Sequence, residues 1–372
     1  MIINKLSILN YKNISQAEVV CSVKTNCFFG NNGMGKTNLL DAVYYLSFCK
    51  SHVHTPDSRL IRKDEDFCIL QGIYDYNGKE EDVFCSIRRN QRKQFKRNRK
   101  EYERLSEHIG LLPLVVVSPA DSDLIRGGSD ERRRFIDMII SQYDKPYLNA
   151  LIQYGKAVMQ RNVLLREQRN DASLYDVFEM QMATYGLQIY ERRKIFIQTL
   201  IPVFNEYHHL ICDSGETVGL SYISQLAADD FIHMLKDSRA KDRLLGYSSI
   251  GVHKDDMVMT LDEQLIRHTG SQGQNKTFLI ALKLAQFSYM SSKVMTKPIL
   301  LLDDIFDKLD AERVEKITGL VSGERFGQIF ITDTNRKYLD CILEAIGQDY
   351  SLFKVEHGDV CLMENKNKSI NI

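Results

Sequence analysis

Neither sign of charge is in excess in this 372-residue chain: 49 lysines and arginines face 49 aspartates and glutamates. No global field therefore draws it to nucleic acid, and any such contact must come from local basic patches. The eight cysteines (Cys21, Cys27, Cys49, Cys68, Cys85, Cys212, Cys341, Cys361) form no Cys-x-x-Cys pair and lie in mostly apolar surroundings. That is how reduced cytosolic thiols are placed, and it argues against a structural zinc site. Nowhere does an uninterrupted apolar run approach membrane-spanning length. The opening Met1-Ile2-Ile3-Asn4-Lys5-Leu6 alternates toward a strand instead of presenting a basic segment followed by a long apolar one. The expectation is a soluble, cytoplasmic protein without a secretion signal or a membrane partner.

What is present is enough hydrophobic material, 44% of residues, for a substantial core and a second lobe. Strands are expected at Ile3–Ile8, Ala17–Cys21 and Asn26–Phe29, then a helix from Lys36 to about Phe48. Cys68–Tyr74 and Leu114–Val117 read as further strands, with a strongly basic stretch between them. From about Ser129 to Leu210 apolar residues recur at three- and four-residue steps, among them Leu148, Leu151, Ile152, Tyr175, Met182, Ile189 and Phe196. This repeat spans few heptads and Pro202 interrupts it, so a helical lobe packing on itself is expected instead of a long coiled-coil arm. From Thr217 strands return, and Lys297-Pro298 leads into the apolar run Ile299–Leu302.

The sharpest local pattern is Gly30-Asn31-Asn32-Gly33-Met34-Gly35-Lys36-Thr37, which fits Gly-x-x-x-x-Gly-Lys-Ser/Thr between an expected strand and an expected helix. Small glycines let successive amides turn inward around a triphosphate, and the following helix points its positive end at the same anion. Lys36 reaches the outer phosphates and Thr37 offers a magnesium ligand. ATP or GTP with Mg2+ is the implied ligand. Without its flanking elements the run would be a glycine-rich turn with a chance lysine. Near the other end, Ile299–Leu302 followed by Asp303-Asp304 reads as a buried parallel strand that delivers two carboxylates at the edge where such sheets bind ligands. Asp303 is expected in the magnesium shell, and Asp304 is placed to orient or deprotonate the attacking water. Taken alone, such a run is a plain strand followed by a turn.

Gly30 and Asp303 lie far apart, whereas a compact P-loop kinase keeps its second carboxylate much nearer. An insertion must therefore split the nucleotide fold. Gly270-Ser271-Gln272-Gly273-Gln274, followed by the helical run Thr277–Ala285, resembles the signature sequence of ABC ATPases. On that resemblance Ser271, Gly273 and Gln274 join the nucleotide-contacting set. Hydroxyl, amide and helix dipole would meet a γ-phosphate already held by the lysine loop of another subunit, so that ATP joins two copies into a homodimer. Asp307-Lys308-Leu309-Asp310 is similar to the D-loop of the same superfamily; on its own it is a polar helix start. The expected fold class is α/β: a split ABC-type P-loop head, a mixed sheet with flanking helices, carrying an inserted helical lobe. Residues 1–128 would form its N-terminal half, 129–215 the lobe, and 216–372 the C-terminal half with the signature and Walker B motifs.

Segments scattered over nearly the whole chain then narrow the resemblance to the RecF family of recombination-repair ATPases. Leu6–Asn13 is similar to the family's first strand and Gly33–Ala42 to its loop and first helix. Val117-Ser118-Pro119-Ala120-Asp121, with Gly128 and Arg132–Asp137, resembles the entry into the helical lobe. Gly251-Val252-His253-Lys254-Asp255-Asp256 resembles a Gly-Pro-His-Arg-Asp-Asp segment. Departures are Ser51-His52-Val53-His54, with valine where the family usually has arginine, the residues Val252 and Lys254, and Asn98-Arg99-Lys100 without the customary turn glycine. No histidine stands at Thr332-Asp333-Thr334, where transporter-type heads carry their switch residue, and none is assigned. The resemblance implies a slow ATPase that binds DNA as an ATP-dependent dimer and releases it on hydrolysis. It also implies help in recombinase loading at gaps beside a RecR-type partner, replication restart and SOS induction.

The densest positive run, Arg88 to Lys100, reads as a hairpin suited to phosphate, or else as solvated surface. Arg132-Arg133-Arg134 opens a helix against its own dipole and calls for an anion or acidic partner nearby. His253, Asp255 and Asp256 read as structural hydrogen-bonding residues instead of a metal cluster, since no second ligand set lies near them in sequence. Two other machines share the nucleotide motifs. A transporter motor is disfavoured by the RecF-like segments and the missing histidine, and an SMC-like nuclease partner by an insertion too short for its heptad arms. A metabolic phosphotransferase would not need the signature segment.

Overall fold

The computed structural model describes residues 1–366 except 54, 213–214, 228–229, 308, 335 and 348. His54 and Lys308 of the motifs above thus lie outside the described residues. The chain opens with β1 (Ile2–Tyr11), β2 (Ile14–Val20), β3 (Thr25–Phe29) and α1 (Lys36–Phe48), then β4 (Phe67–Tyr76), β5 (Lys79–Arg88), β6 (Gln94–Arg97), β7 (Lys100–Glu101) and β8 (Leu114–Val117). It continues through α2 (Ser122–Arg126), α3 (Ser129–Ser141), α4 (Lys145–Arg166), α5 (Ala172–Ile211), β9 (Val218–Ile223), α6 (Phe231–Leu245), β10 (Asp256–Leu261), β11 (Gln264–Leu265) and α7 (Ile266–Thr269). It ends with α8 (Gln272–Lys293), β12 (Ile299–Asp303), α9 (Ala311–Ser322), β13 (Ile329–Asp333), α10 (Arg336–Ile346), β14 (Tyr350–Glu356) and β15 (Asp359–Lys366). Two compact units result: Met1–Asp121, Leu210–Cys212 and Leu279–Ile372, and then Ser122–His209 with Asp213–Phe278.

The first unit contains two sheets. In the antiparallel one, ordered β2-β1-β4-β5-β6-β7, strands alternate between buried and open positions, with Ile3, Leu6 and Ile8 of β1 turned inward. The other is ordered β15-β14-β3-β13-β12-β8, parallel except for β15 at its edge. Every residue of β12 and β13 is buried, as continuous apolar runs in a covered parallel sheet must be. Phe28 of β3 stacks between Phe330 and Phe353 of its two neighbours. Helix α1 buries Leu39, Leu40, Val43, Tyr44 and Leu46 against this framework and stops where Cys49 takes a left-handed conformation.

The second unit holds helices and the sheet β11-β10-β9. Residues 216–278, placed by pattern with the C-terminal half of the head, group here with the helices. Helix α6, which the sequence reading did not single out, explains part of that: its Asp242 meets Arg161 of α4. Pro202 does not interrupt α5, which runs 40 residues through it. The missing N–H leaves only the Gln198 carbonyl without its helical partner, and Gln198 is exposed, so water can take that bond.

Arg161 is wholly buried between Glu179, at 3.0 Å, and Asp242, at 2.7 Å, with Ser248 Oγ at 2.8 Å. A second network gathers the Gly251–Asp256 segment. His253 Nδ1 lies 2.8 Å from the Tyr154 hydroxyl and Nε2 3.0 Å from the Ser248 carbonyl, and burial pushes the imidazole down to about 4. Asp255 bonds Arg193 and the Tyr222 hydroxyl, while Asp256 takes a two-pronged bond from Arg132 at 2.6 and 3.0 Å. Arg133 donates to the Asp255 carbonyl and Arg134 to Glu131, so each arginine at the start of α3 has an acceptor. Among the described residues no group of His, Cys, Asp or Glu is arranged to hold a metal ion by itself.

Candidate nucleotide-binding site

The phosphate loop leaves β3, turns over Gly30–Gly35 and enters α1. Two glycines are demanded by the close approach. A Cβ on Gly30 would stand 2.2 Å from the Val355 carbonyl oxygen on β14, and one on Gly35, at φ 116°, would stand 2.9 Å from Asn13 Oδ1. Asn13, in the β1–β2 turn, accepts from Asn38 Nδ2 at 2.7 Å, and the Gly358 N–H of the β14–β15 turn donates to the Met34 carbonyl at 2.9 Å. Two hairpin turns therefore grip the loop from outside. A buried Asp41 on α1 locks the base of the grip, accepting from Tyr11, Ser51, the His52 amide and Lys12 at 2.6–2.8 Å.

Lys36 folds back across the loop, its Nζ donating to the carbonyls of Gly30, at 2.7 Å, and Asn31, at 3.0 Å. Burial lowers its pKa, against the pull of Asp304, Asp303 and Asp333. The parallel register brings Asp303 opposite Thr332 and Asp333 opposite Phe29, so β3, β12 and β13 deliver their C-terminal ends to one edge. There Thr37 Oγ1 donates to Asp303 Oδ1 at 3.0 Å, and Thr332 Oγ1 donates to the same oxygen at 2.6 Å. Burial pushes the Asp303 carboxyl up; the two hydroxyl bonds oppose this and the Asp304 charge adds to it. Asp304 follows in a left-handed conformation, φ 51°, with its N–H bonded to the Thr332 carbonyl at 3.1 Å. Gly30 to Thr37, Asp303 and Asp304 are thus assembled at one edge of the first unit. Asn13, Asn38 and Thr332 belong to the same cluster and were not singled out as site residues from the sequence; only the polar turn Lys12-Asn13 and the motif neighbourhood could have suggested them.

Ser271, Gly273 and Gln274 lie in the second unit, at the start of α8. Ser271 caps the helix reciprocally: its hydroxyl accepts from the Gln274 N–H at 3.2 Å, and its own N–H reaches Gln274 Oε1 at 2.8 Å. Gln274 Nε2 also donates to Glu216 at 2.8 Å, and Ser271 stays exposed. Asp310 caps α9 through the Arg313 N–H at 2.9 Å. The basic stretch divides in two. Lys93 is tucked against Asp57, Tyr45 and the Cys49 carbonyl, and Arg97 is clamped by Glu81 through two bonds of 2.7 Å. Arg88, Arg89, Arg92, Arg99 and Lys100 remain exposed along the β5–β7 ridge.

Against known proteins, the RecF/RecN/SMC N terminal domain model matches residues 2–356. A DNA replication and repair protein RecF of Parabacteroides distasonis is 67% identical over 364 residues, covering 98% of this chain and 100% of that protein. Another, of Bacteroides fragilis, is 55% identical over 370 residues, covering 99% and 100%. Of solved structures, a recombination mediator protein RecF-ATP in the RecFOR pathway aligns with a TM-score of 0.87 at 26% identity, over 97% of this chain and 99% of that one. An Smc head domain from Pyrococcus furiosus, at a TM-score of 0.60 and 17% identity over 98% and 96%, shares the fold alone. The chain belongs to the RecF family of DNA replication and repair proteins, built on the head of an SMC-type ATPase.

Proposed function

We propose that this protein is an ATP-driven DNA clamp whose two copies close on nucleotide and part after hydrolysis. One observation carries the reading: Thr37 and Asp303, 266 positions apart in sequence, meet at 3.0 Å beside the lysine loop. A hydroxyl and a buried carboxylate are hard oxygen donors, which suit magnesium better than the metals that favour thiolate or imidazole. When bound, Mg2+ would neutralise phosphate charge. In this reading the amides of Gly30, Asn31, Asn32, Gly33, Met34 and Gly35 cradle the phosphates and Lys36 exchanges its two carbonyl partners for phosphate oxygens. Asp304 takes the proton of the attacking water. Ser271, Gly273 and Gln274 of a second copy close over the γ-phosphate, a role their exposed helix start permits.

ATP, and not ADP, is then expected to convert monomer into dimer. Sedimentation checks it: a nucleotide-independent dimer, or a monomer at saturating ATP, removes the sandwich. Similarity to the DNA replication and repair proteins RecF supports a place in recombinational repair, with slow turnover, recombinase loading at gaps beside a RecR-type mediator, replication restart and SOS induction as the finer reading.

The exposed ridge of Arg88, Arg89, Arg92, Arg99 and Lys100 is the proposed DNA contact. Neutralising Arg89, Arg92, Arg99 and Lys100 together is expected to weaken DNA binding and to lower the slope of log affinity against log salt by about 3, since each lost phosphate contact removes roughly 0.7–0.9. Changes at Lys93 or Arg97 should act on stability and leave that slope in place, because Asp57 and Glu81 already neutralise both cations, whereas Arg89 and Arg92 donate only to the carbonyls of Glu65 and Glu103. Equal slopes for ridge variant and wild type would return the ridge to solvated surface.

A further inference from the structure

We propose that Thr332 is the positioning residue that sets both acids of the nucleotide site through one hydroxyl. This rests on the nucleotide-site reading above. Thr332 is fully buried at the C-terminal end of β13, opposite Asp303 in the parallel register. A threonine hydroxyl has a single proton, and here it goes to Asp303 Oδ1 at 2.6 Å. Its lone pairs remain free to accept, and the Asp304 N–H lies 3.2 Å away, sharing its proton with the Thr332 carbonyl at 3.1 Å. The same oxygen atom thus touches the side chain of one acid and the backbone of the next.

Each contact has separate work. Thr37 and Thr332 both donate to Asp303 Oδ1, but Thr37 would also turn a lone pair to the metal while its proton stays on Asp303, so its position follows the loading of the site. Thr332 has no such second duty, so it fixes the carboxylate whether or not the site is loaded. At Asp304 the backbone is left-handed, φ 51°, a conformation in which aspartate is tolerated but not favoured. Two acceptors on its N–H hold that turn. The turn after Asp303 therefore places the two acids differently, and Thr332 holds the turn.

The experiment compares Thr332→Val, which keeps the branched shape and removes the hydroxyl, with Thr332→Ser, which keeps the hydroxyl. ATP affinity with and without Mg2+, steady-state turnover and thermal midpoint are measured on the full chain. For Thr332→Val, Mg2+-free affinity should stay within about twofold. The Mg2+ concentration for half-maximal nucleotide binding should rise about tenfold and turnover should fall roughly 10–100-fold, as when the outer partner of a metal ligand is lost. Thr332→Ser should stay near wild type in all four. A valine variant with the wild-type Mg2+ response and turnover overturns the proposal. So does one that loses Mg2+-free binding to the same extent, or a serine variant as impaired as valine, since either marks a packing role. A wild-type protein that binds ATP without regard to Mg2+ removes the nucleotide-site reading itself, and Thr332 with it.

Discussion

Asp304→Asn is expected to lower ATP turnover by about 10²–10⁴-fold while leaving nucleotide affinity and the ATP-dependent dimer in place. The amide keeps the size of the side chain and, with the N–H still held by Thr332, the left-handed turn. It cannot accept a proton from water at neutral pH. The dimer should then outlive the wild-type one and hold DNA longer. Asp303→Asn should differ in kind. Its oxygen is the meeting point of Thr37 and Thr332, and a neutral amide there is a poor ligand for a hard cation. Mg2+-dependent affinity should fall first, and turnover with it. Nucleotide affinity, dimer lifetime and turnover measured side by side separate the two. An Asp304→Asn protein that hydrolyses ATP at the normal rate places the base elsewhere.

Arg161→Ala is expected to cost about 3–5 kcal/mol of stability, a large fraction of what a domain of ordinary stability holds. The guanidinium is enclosed, with bonds to Glu179, Asp242, Ser248, Ser238 and the Leu235 carbonyl. Removing it strands Asp242 against only its serine donors, while Glu179 keeps Arg239 at 2.6 Å. Combining Arg161→Met with Asp242→Asn should recover a good part of the loss, because the uncompensated charge leaves with its partner while Glu179 stays paired with Arg239. Chemical denaturation of the three proteins tests this. A single Arg161→Ala variant within 1 kcal/mol of wild type would show that the interior is wetter than its geometry implies.

What could be read in advance was whatever is local. The Lys36–Phe48 helix and the Leu114–Val117 strand appear at the expected residues, because periodicity and glycine punctuation act over a few neighbours. The lysine loop and the double aspartate were legible for the same reason. Pro202 misled because one lost hydrogen bond is small beside the buried face that holds α5 together. Nearby acceptors, the Gly127 carbonyl, Ser129 and Glu131, satisfy only part of the basic helix start; the Asp256 carboxylate of Arg132 and the Asp255 carbonyl of Arg133 lie more than a hundred positions away. The basic run looked uniform in sequence, yet Asp57 and Glu81 withdraw Lys93 and Arg97 from its surface. Thr332 was visible only as the absence of a histidine; its part in the site depends on a strand register that no short window contains.

The order of the parallel sheet bears on how such a chain comes into being. β3, at residues 25–29, is flanked by β13 and β14, at 329–333 and 350–356, and β8 finds its partner at 299–303. A ribosome therefore releases the loop after β3 long before the strands that support it, and Gly30 meets Val355 only once β14 has been made. Until then the early strands have open edges, and joining them closes a loop of some three hundred residues, which makes folding slow and the nascent chain prone to aggregate. The same order is a safeguard: a product cut short before β12 lacks β12, β13 and β14, and with them the sheet edge and the Val355 contact that hold the loop in place.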